Sequence, residues 1–247
     1  MKKFLVFLTM FLFLFIITAC SSNTKEFKNT AEKSVKAEKY DEAIKTLDDA
    51  IKQAKDKKEL VDLYLFKAQI YSEYLGQYDK ALSVLEEAGK ENKDDLKILS
   101  ERAKNYTAKE DYEKALAIYN ELIEKNVKLS DIFIQRANLL LLTEPDTDKA
   151  EKDLNEAIKI DPKNDKAYTA MARLHRSNGE TKEAIKAYNE AIKLNPSAIN
   201  HLKRAECYYE LQEMDKARED YKIAFQGRNT LDESLQGLVK ERLEILQ

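Results

Sequence analysis

The sequence repeats itself with a period of 33 to 38 residues, and this periodicity constrains the fold more than any other feature. Six short segments contain two charged residues followed by an alanine, and consecutive alanines are 38, 34, 35, 34 and 33 residues apart. These alanines are Ala43, Ala81, Ala115, Ala150, Ala184 and Ala217. A period in this range is typical of arrays in which each small unit buries its apolar face against the next.

Each repeat predicts two helices. In the fifth repeat, large and apolar residues from Tyr168 to His175 recur at three- and four-residue steps, and a second series runs from Ala184 to Ile192. Asn178-Gly179 interrupts the pattern between them, which predicts a helical hairpin. Only 3 Pro and 5 Gly occur in 247 residues, which leaves little room for the turn-rich connectivity of a β-sandwich or barrel. The sequence therefore predicts an all-α fold.

The period and its recurring alanines, tyrosines and prolines resemble tetratricopeptide repeats. Pro162 and Pro196 each follow a repeat alanine by twelve residues, where proline can begin the next helix but not continue the last. The resemblance spans residues 26–229 as about six helix-turn-helix repeats. It implies a right-handed superhelical solenoid whose first helices line a concave surface. Leu122 departs from the pattern by replacing a second alanine, and the second and fourth repeats each carry one additional residue between their helices.

A C-terminal capping helix is predicted over residues 230–247. Thr230-Leu-Asp-Glu233 has the spacing of a capping box, in which the first and fourth side chains bond the backbone N–H groups of a helix start. The last repeat of a solenoid otherwise leaves an apolar face in water, and the leucines of this segment would cover it.

The N-terminus predicts export. Lys2 and Lys3 precede a run of fourteen residues, 4–17, that is apolar apart from one threonine. This run is shorter than the ~20 residues that a spanning helix needs, so residues 1–19 are predicted to be a signal peptide. The alternative is an uncleaved membrane anchor. Residues 17–20, Ile-Thr-Ala-Cys, resemble the lipobox of bacterial lipoproteins.

The lipobox resemblance implies that Cys20 is acylated and becomes the mature N-terminus, with residues 20–25 as lipidated end and tether. Ser21, rather than Asp, follows this cysteine. In lipoproteins of bacteria with two membranes this implies the periplasmic side of the outer membrane. The expected location is therefore the cell envelope.

Composition argues against several functional classes. The chain has 42 Lys plus Arg against 45 Asp plus Glu, evenly mixed, so nucleic acid is not an expected partner. His175 and His201 are the two histidines, and neither belongs to a cluster with metal-ligand spacing or to a nucleophile motif. No glycine-rich phosphate loop is present in the sequence. We therefore predict a binding protein rather than an enzyme, with no cofactor and no metal.

The resemblance places the partner-binding residues on the first helices. Leu139–Leu142 is an apolar run longer than an amphipathic helix needs, and five cations lie on the same predicted side. The candidate residues are Leu65, Gln69, Lys97, Lys104, Ile134, Asn138, Leu141, Leu142, Lys166, Arg173, Arg176 and Tyr209. Such a surface suits a peptide with aliphatic side chains and carboxylates. Alternatively, Arg173 pairs with Glu206, and the two leucines pack against neighbouring repeats.

The predicted function is that of a lipid-anchored scaffold or adaptor of the cell envelope, which binds a protein or peptide partner in the groove of its repeats. Among lipoproteins with such repeats, the resemblance also favours assembly factors for outer-membrane complexes, either pilotin-like or barrel-assembly-like, and adaptors that dock cell-wall hydrolases. A self-associating structural lipoprotein is a further alternative.

Overall fold

The structure, a computed structural model, describes residues 24–90, 92, 95–125, 127–143 and 146–246. The predicted signal peptide, Cys20 and residues 21–23 of the predicted tether lie outside these ranges. Over the described residues every regular element is a helix, which confirms the all-α prediction. The chain is already helical at residue 24, which lies within the segment that the sequence assigned to the tether.

The helices follow one another in pairs, one pair per repeat. α1 covers residues 24–36. The others are α2 (Tyr40–Gln53), α3 (Lys57–Gln69), α4 (Tyr78–Gly89), α5 (Leu96–Ala108), α6 (Tyr112–Glu124), α7 (Ser130–Thr143), α8 (Thr147–Ile160), α9 (Asp165–Ser177), α10 (Thr181–Leu194), α11 (Ala198–Glu210), α12 (Met214–Gln226) and α13 (Glu233–Ile245). The odd-numbered helices α1 to α11 are the first helices of repeats 1 to 6.

The chain divides into two compact units, residues 1–118 and 119–247, and the division falls within α6. In the first unit α3 packs against α2, α4 and α5. In the second, each helix from α7 to α12 packs against the next, α13 packs on α12, and the first helices α7 and α9 also touch.

The repeat alanines lie where the helices approach most closely. All six that define the period are fully buried, as are the alanines of the first helices, from Ala31 to Ala205. Large side chains fill the wider gaps four residues after the repeat alanines, and Leu85, Tyr119, Leu154, Tyr188 and Tyr221 are at most 1% exposed. Small and large residues thus alternate in the core, as close packing requires.

In five of the repeats, a residue whose backbone is in the left-handed conformation follows the first helix. Glu38, Gly76, Glu110, Gly179 and Gln212 have φ angles of 58°, 63°, 64°, 78° and 61°. Each follows the first-helix alanine by seven or eight residues. This conformation turns the chain sharply at a helix C-terminus, so the second helix can run back along the first.

The additional residue of the second repeat is absorbed as a π-helical turn. Ile70–Tyr74 continues α3 with wider turns before α4 begins at Tyr78. A π turn accommodates one more residue per turn than an α turn without breaking the helix. Residues 144 and 145, where the fourth repeat carries its additional residue, lie outside the described ranges.

Polar clamps join neighbouring repeats in the core. Arg204 donates two hydrogen bonds of 2.7 Å to Asp220 within repeat 6 and a third, also 2.7 Å, to Asn189 of repeat 5. His201 Nδ1 lies 2.8 Å from Asp220 Oδ1.

Arg136 of repeat 4 makes the same arrangement with Asp153 and with Asn120 of repeat 3, at 2.6 to 2.8 Å. A simpler version joins Lys67 of repeat 2 to Asp48 of repeat 1. The carboxylates of Asp153 and Asp220 are buried but fully paired.

The C-terminal helix covers the last repeat, although it begins later than the capping-box pattern predicts. The side chain of Asp232, not Thr230, accepts the capping hydrogen bond, from Leu235 N at 2.9 Å. Thr230 ends a 3₁₀ turn, where its hydroxyl donates to the carbonyl of Gly227. In α13, Val239 is fully buried in a cluster with Tyr221 and Ala224 of repeat 6.

Candidate ligand-binding site

An open pocket of about 630 Å³ lies along the first helices of the C-terminal unit. Leu141 of α7, Arg173 and Arg176 of α9, and Lys203 of α11 line it, and Tyr188 of the second helix α10 contributes its aromatic side chain. Thr147, Ser177 and Asn178 complete the lining. The three cations and the leucine all come from first helices, which is the surface that the repeat pattern predicts for a partner.

Arg176 is held by two carboxylates of α11. Its Nη1 donates to Glu206 at 2.7 Å, and its Nε donates to Glu210 at 2.9 Å. Burial lowers the pKa of Arg176, but the hydrogen bonds to Glu210 and Glu206 outweigh this and raise the pKa overall. Lys203 also pairs with Glu206, at 3.2 Å. These two cations are therefore neutralised within the protein.

Arg173 has a different environment one turn away. Its side chain is exposed, and it forms no ion pair with a described residue. The alternative that Arg173 pairs with Glu206 is wrong, because the cations that pair with this carboxylate are Arg176 and Lys203. Arg173 therefore leaves a positive charge available at the pocket.

Tyr188 is fully buried, and its hydroxyl has no hydrogen-bond partner among the described residues. Burial raises the pKa of this hydroxyl, and the charges of Arg176 and Arg173 act in the opposite direction. Arg173 and Arg176 line the same pocket as this tyrosine. Beneath the pocket, Cys207 is buried in the same cluster as Tyr188, and burial raises the pKa of its thiol to about 11.

The other predicted site residues of this unit differ in their exposure to solvent. Leu142 is 62% exposed, next to half-buried Leu141, which packs on the core of repeats 4 and 5. Lys166 is exposed, and Asn138 is half-buried on α7. The alternative that both leucines pack against neighbouring repeats is therefore wrong for Leu142 and correct for Leu141.

Two predicted residues are covered by the protein itself. Ile134 is only 3% exposed, because it lies one turn before Ala137 and faces the same core. Its assignment to the partner-binding surface is wrong. Tyr209 is half-buried in the terminal cluster, and the guanidinium of Arg242 from α13 lies 4.8 Å from the centre of its ring. The capping helix therefore occupies part of the surface predicted for Tyr209.

The predicted residues of the N-terminal unit are engaged with their neighbours. Leu65 is half-buried against the core of repeat 2. Gln69 donates to Glu73 at 2.8 Å, and Lys104 pairs with Glu101 at 3.2 Å. Lys97 pairs with Asp62 at 2.9 Å, and this hydrogen bond raises the pKa of the lysine.

Sequence analysis missed Lys203 and Tyr188 as pocket residues. Tyr188 lies on the second helix, at a position that Leu85 and Leu154 fill in other repeats, and the repeat pattern predicts only a packing role for this position. The signal available was its hydroxyl, which a leucine lacks and which needs a partner. Lys203 could have been found from its three-residue spacing to Glu206 on α11.

No set of three or more His, Cys, Asp or Glu side chains that could hold a metal ion is found over the described ranges. His175 instead lies 2.6 Å from Glu180 at the surface. None of the described helices is long and apolar enough to cross a membrane.

Helices that follow one another in pairs and pack on their neighbours define a helical-repeat protein. Family models described as tetratricopeptide repeat match residues 74–132, 131–164 and 169–228, which together make up more than half of the chain. The chain belongs to the tetratricopeptide repeat family. A model described as anaphase-promoting complex subunit 5 matches residues 29–72. Comparison with curated proteins finds no significant match.

Solved structures of such repeats share the fold at low sequence identity. PilW, described as a widely conserved type IV pilus biogenesis factor, is 17% identical with a TM-score of 0.71, covering 87% of this chain and 98% of that one. The thermophilic protein TTC0263 of Thermus thermophilus is 20% identical with a TM-score of 0.63, covering 74% and 99%. YrrB, described as having an unusual peptide-binding site, is 18% identical with a TM-score of 0.54, covering 79% and 97%.

Proposed function

We propose that this chain is a lipid-anchored scaffold of the bacterial cell envelope, which holds a protein or peptide partner on the first helices of repeats 4 to 6. The observation that carries the proposal is the pocket between α7, α9 and α11, with exposed Leu142 beside it. A pocket that combines an aliphatic side chain with an available cation suits a partner that carries apolar and anionic groups.

The envelope location is supported by the sequence and by one likeness. Residues 17–20 resemble a lipobox, which implies acylation of Cys20 and attachment to a membrane. PilW, a pilus biogenesis factor, has a similar fold over most of this chain. YrrB, which has a peptide-binding site, supports a peptide as one form of the partner.

Crosslinking in cells tests the proposal. A photo-crosslinking amino acid replaces Leu142 in the full chain, and a control chain carries it in place of Ile223, which is 36% exposed on the second helix α12. We expect irradiation to link a discrete protein to position 142 but not to position 223. Introducing Arg173→Glu into the position-142 chain should reduce the captured amount. Equal capture at both positions would contradict a partner site on the first helices.

The captured protein also separates the alternatives. A subunit of an outer-membrane assembly would favour an assembly factor, pilotin-like or barrel-assembly-like. A cell-wall hydrolase would favour an adaptor, and a second copy of this chain would favour a self-associating structural lipoprotein. Mass spectrometry of the linked peptides distinguishes the three.

A further inference from the structure

Five lysines lie together in the N-terminal unit, near the residue at which the described chain begins. This N-terminal lysine surface consists of Lys25 and Lys28 of α1, and of Lys55, Lys57 and Lys58 at or just before the start of α3. Lys25, Lys28 and Lys58 line an open pocket of about 310 Å³ between the two helices. Lys28 is half-buried and the other four are exposed, and none of the five forms an ion pair with a described residue.

The carboxylates around these lysines are engaged within the protein. Asp56 caps α3 by accepting a hydrogen bond from the backbone N–H of Glu59 at 2.8 Å. Glu59 accepts from a threonine hydroxyl of α1, and Asp62 is neutralised by Lys97 at 2.9 Å. Five lysines therefore stand against three carboxylates that have no cationic partner in the described chain, those of Glu26, Asp56 and Glu59.

The stability of α3 gives no reason for two of these lysines. Lys57 and Lys58 occupy its first turn, where the free backbone N–H groups already create a positive potential and a cation is disfavoured. Their charges add to that potential instead of opposing it. The start of α3 therefore attracts anions from outside the protein.

This positive surface contrasts with the rest of the chain and lies beside the predicted anchor. Residues 24–58 contain 10 Lys against 8 Asp plus Glu, whereas residues 59–247 contain 30 Lys plus Arg against 37 Asp plus Glu. Thr24, which also lines the pocket, is four residues from Cys20, so their Cα atoms are at most about 14 Å apart. Electrostatic attraction acts over about 8–10 Å in physiological salt, so a membrane that holds Cys20 comes within reach of these lysines.

We infer that the N-terminal lysine surface binds the anionic headgroups of the membrane that holds Cys20, and so keeps the first helices of repeats 1 and 2 at the bilayer surface. The inference rests on the lipid anchor of the proposed function and adds a second contact with the same membrane. Each lysine close to an anionic bilayer adds attraction, and a basic cluster beside a lipid anchor strengthens the attachment. A bilayer suits this surface better than a free phosphate, because the charge is spread over five side chains.

Vesicle sedimentation tests the inference on residues 20–247 with Cys20→Ser, a chain that keeps every described residue but lacks the anchor. Vesicles of equal parts phosphatidylglycerol and phosphatidylcholine are compared with vesicles of phosphatidylcholine alone. We expect the anionic vesicles to retain at least about tenfold more protein at low ionic strength. The difference should shrink in about 0.5 M salt. Replacing chloride by inorganic phosphate at constant ionic strength should change nothing.

Two triple variants with the same net charge test the lysines. The first carries Lys55→Gln, Lys57→Gln and Lys58→Gln, and it should lose most of the preference for anionic vesicles, at least about fivefold. The control carries Lys152→Gln, Lys182→Gln and Lys222→Gln, which replace exposed lysines on second helices of the C-terminal unit. The control should bind like the parent chain. Thermal unfolding of the first variant should be unchanged or shifted upward, because a cation is removed from a helix start.

Equal retention by the two kinds of vesicle would overturn the inference, and so would equal losses in the two triple variants. Displacement by inorganic phosphate would mean a site for a free anion and would also contradict it. If vesicles do not discriminate but the first variant abolishes concentration-dependent association in solution, the lysines face a second copy of the chain. Labelling of Cys20 by a palmitate analogue tests the anchor separately, so an unlabelled Cys20 with intact vesicle binding would remove the anchor and leave the lipid-binding surface.

Discussion

Arg173 and Arg176 lie one turn apart on α9 but have different electrostatic environments. Arg176 points toward α11 and is fixed by Glu206 and Glu210, whereas Arg173 keeps its charge available at the pocket. An arginine fixed by two carboxylates has little attraction left for an anionic ligand, while an arginine without a partner retains it. The pocket therefore owes its charge to one residue, although three cations line it.

Cys207 provides a prediction at the residue scale. Burial raises the pKa of its thiol from 9.0 to about 11, so the protonated form is favoured in the folded protein. We expect iodoacetamide at pH 8 to modify Cys207 at least tenfold more slowly in the native chain than in guanidinium chloride, since the thiolate is the reactive form. The rate in the native chain should rise as the pH approaches 11. Mass spectrometry of the peptide that contains Cys207 measures it.

Because the pKa of the Cys207 thiol is higher in the folded state than in the unfolded state, the stability of the fold depends on pH. The folded state binds the proton of this thiol more tightly than the unfolded state, so the contribution to stability is complete below about pH 9. It is lost as the pH rises through about 11. In the iodoacetamide experiment, fast modification of Cys207 at pH 8 in the native chain would mean that the thiol is accessible and would contradict its burial.

Residue-level properties of the pocket were only partly predictable. The positions of Arg173 and Leu141 on a first helix follow from helical periodicity. Which arginine pairs with Glu206 does not, because it depends on the offset between α9 and α11, which helix periodicity alone does not determine. Ile134 was misassigned for a related reason, since a first helix also packs into its own repeat and only part of its circumference faces outward.

At the scale of the element, the left-handed turn residues explain how each helix pair closes. Gly179 has a φ of 78°, and a Cβ added there would meet no atom within 4 Å. Any strain in a substitution at this position is therefore strain of the backbone, not of packing. Gly237, inside α13, also has open space around its Cβ position but lies in a helix.

We therefore expect alanine to have opposite effects at the two glycines. Gly179→Ala should lower the free energy of unfolding by about 1 kcal/mol, because alanine is disfavoured in the left-handed region. Gly237→Ala should raise it by roughly 0.5–1 kcal/mol, because alanine is the better helix former. Urea denaturation followed by circular dichroism measures both. Changes of the same sign would show that turn geometry does not limit stability here.

The polar clamp of repeat 6 gives a second prediction for an element. Asp220 is 2% exposed and accepts two hydrogen bonds from Arg204, while His201 lies beside it. Asp220→Ala should destabilise the fold by roughly 3–5 kcal/mol, because the partly buried guanidinium of Arg204 loses its counter-charge.

The matched control is Asp215→Ala, also on α12. Its side chain is 95% exposed and forms one ion pair with Arg218, so the expected loss is about 0–1 kcal/mol. Denaturant titration of both variants makes the comparison. A loss at Asp220 no larger than that at Asp215 would mean that the clamp contributes little to stability.

The helix pairs themselves were predictable, because small residues recur at a fixed spacing and the helices can approach closely only there. The π turn of α3 was visible in advance as one additional residue between Ala68 and Ala81, but the way the chain accommodates it was not. The start of α13 was placed at Thr230, because a capping-box spacing does not reveal that a 3₁₀ turn uses this hydroxyl first.

At the scale of the whole molecule, the location of the chain depends on Cys20. If this residue is acylated, each buried CH₂ contributes about 0.8 kcal/mol, so several acyl chains hold the protein at a membrane. Cys20→Ser should shift the protein from the membrane fraction to the soluble fraction and abolish labelling by a clickable palmitate analogue. Cys207→Ser is the control and should leave both unchanged. Persistent membrane association of Cys20→Ser, or an unlabelled wild type, would contradict the lipid anchor.

The clamps have a consequence for the way in which a chain like this can be shortened or extended. Lys67, Arg136 and Arg204 each connect an even-numbered repeat to the odd-numbered repeat before it. A cut between repeats 2 and 3, or between 4 and 5, leaves these three clamps intact. A cut between repeats 1 and 2, 3 and 4, or 5 and 6 breaks one of them. The clamps thus group the repeats into pairs of four helices each, a longer unit than the single hairpin of the sequence period, while contacts such as Lys97–Asp62 join one pair to the next.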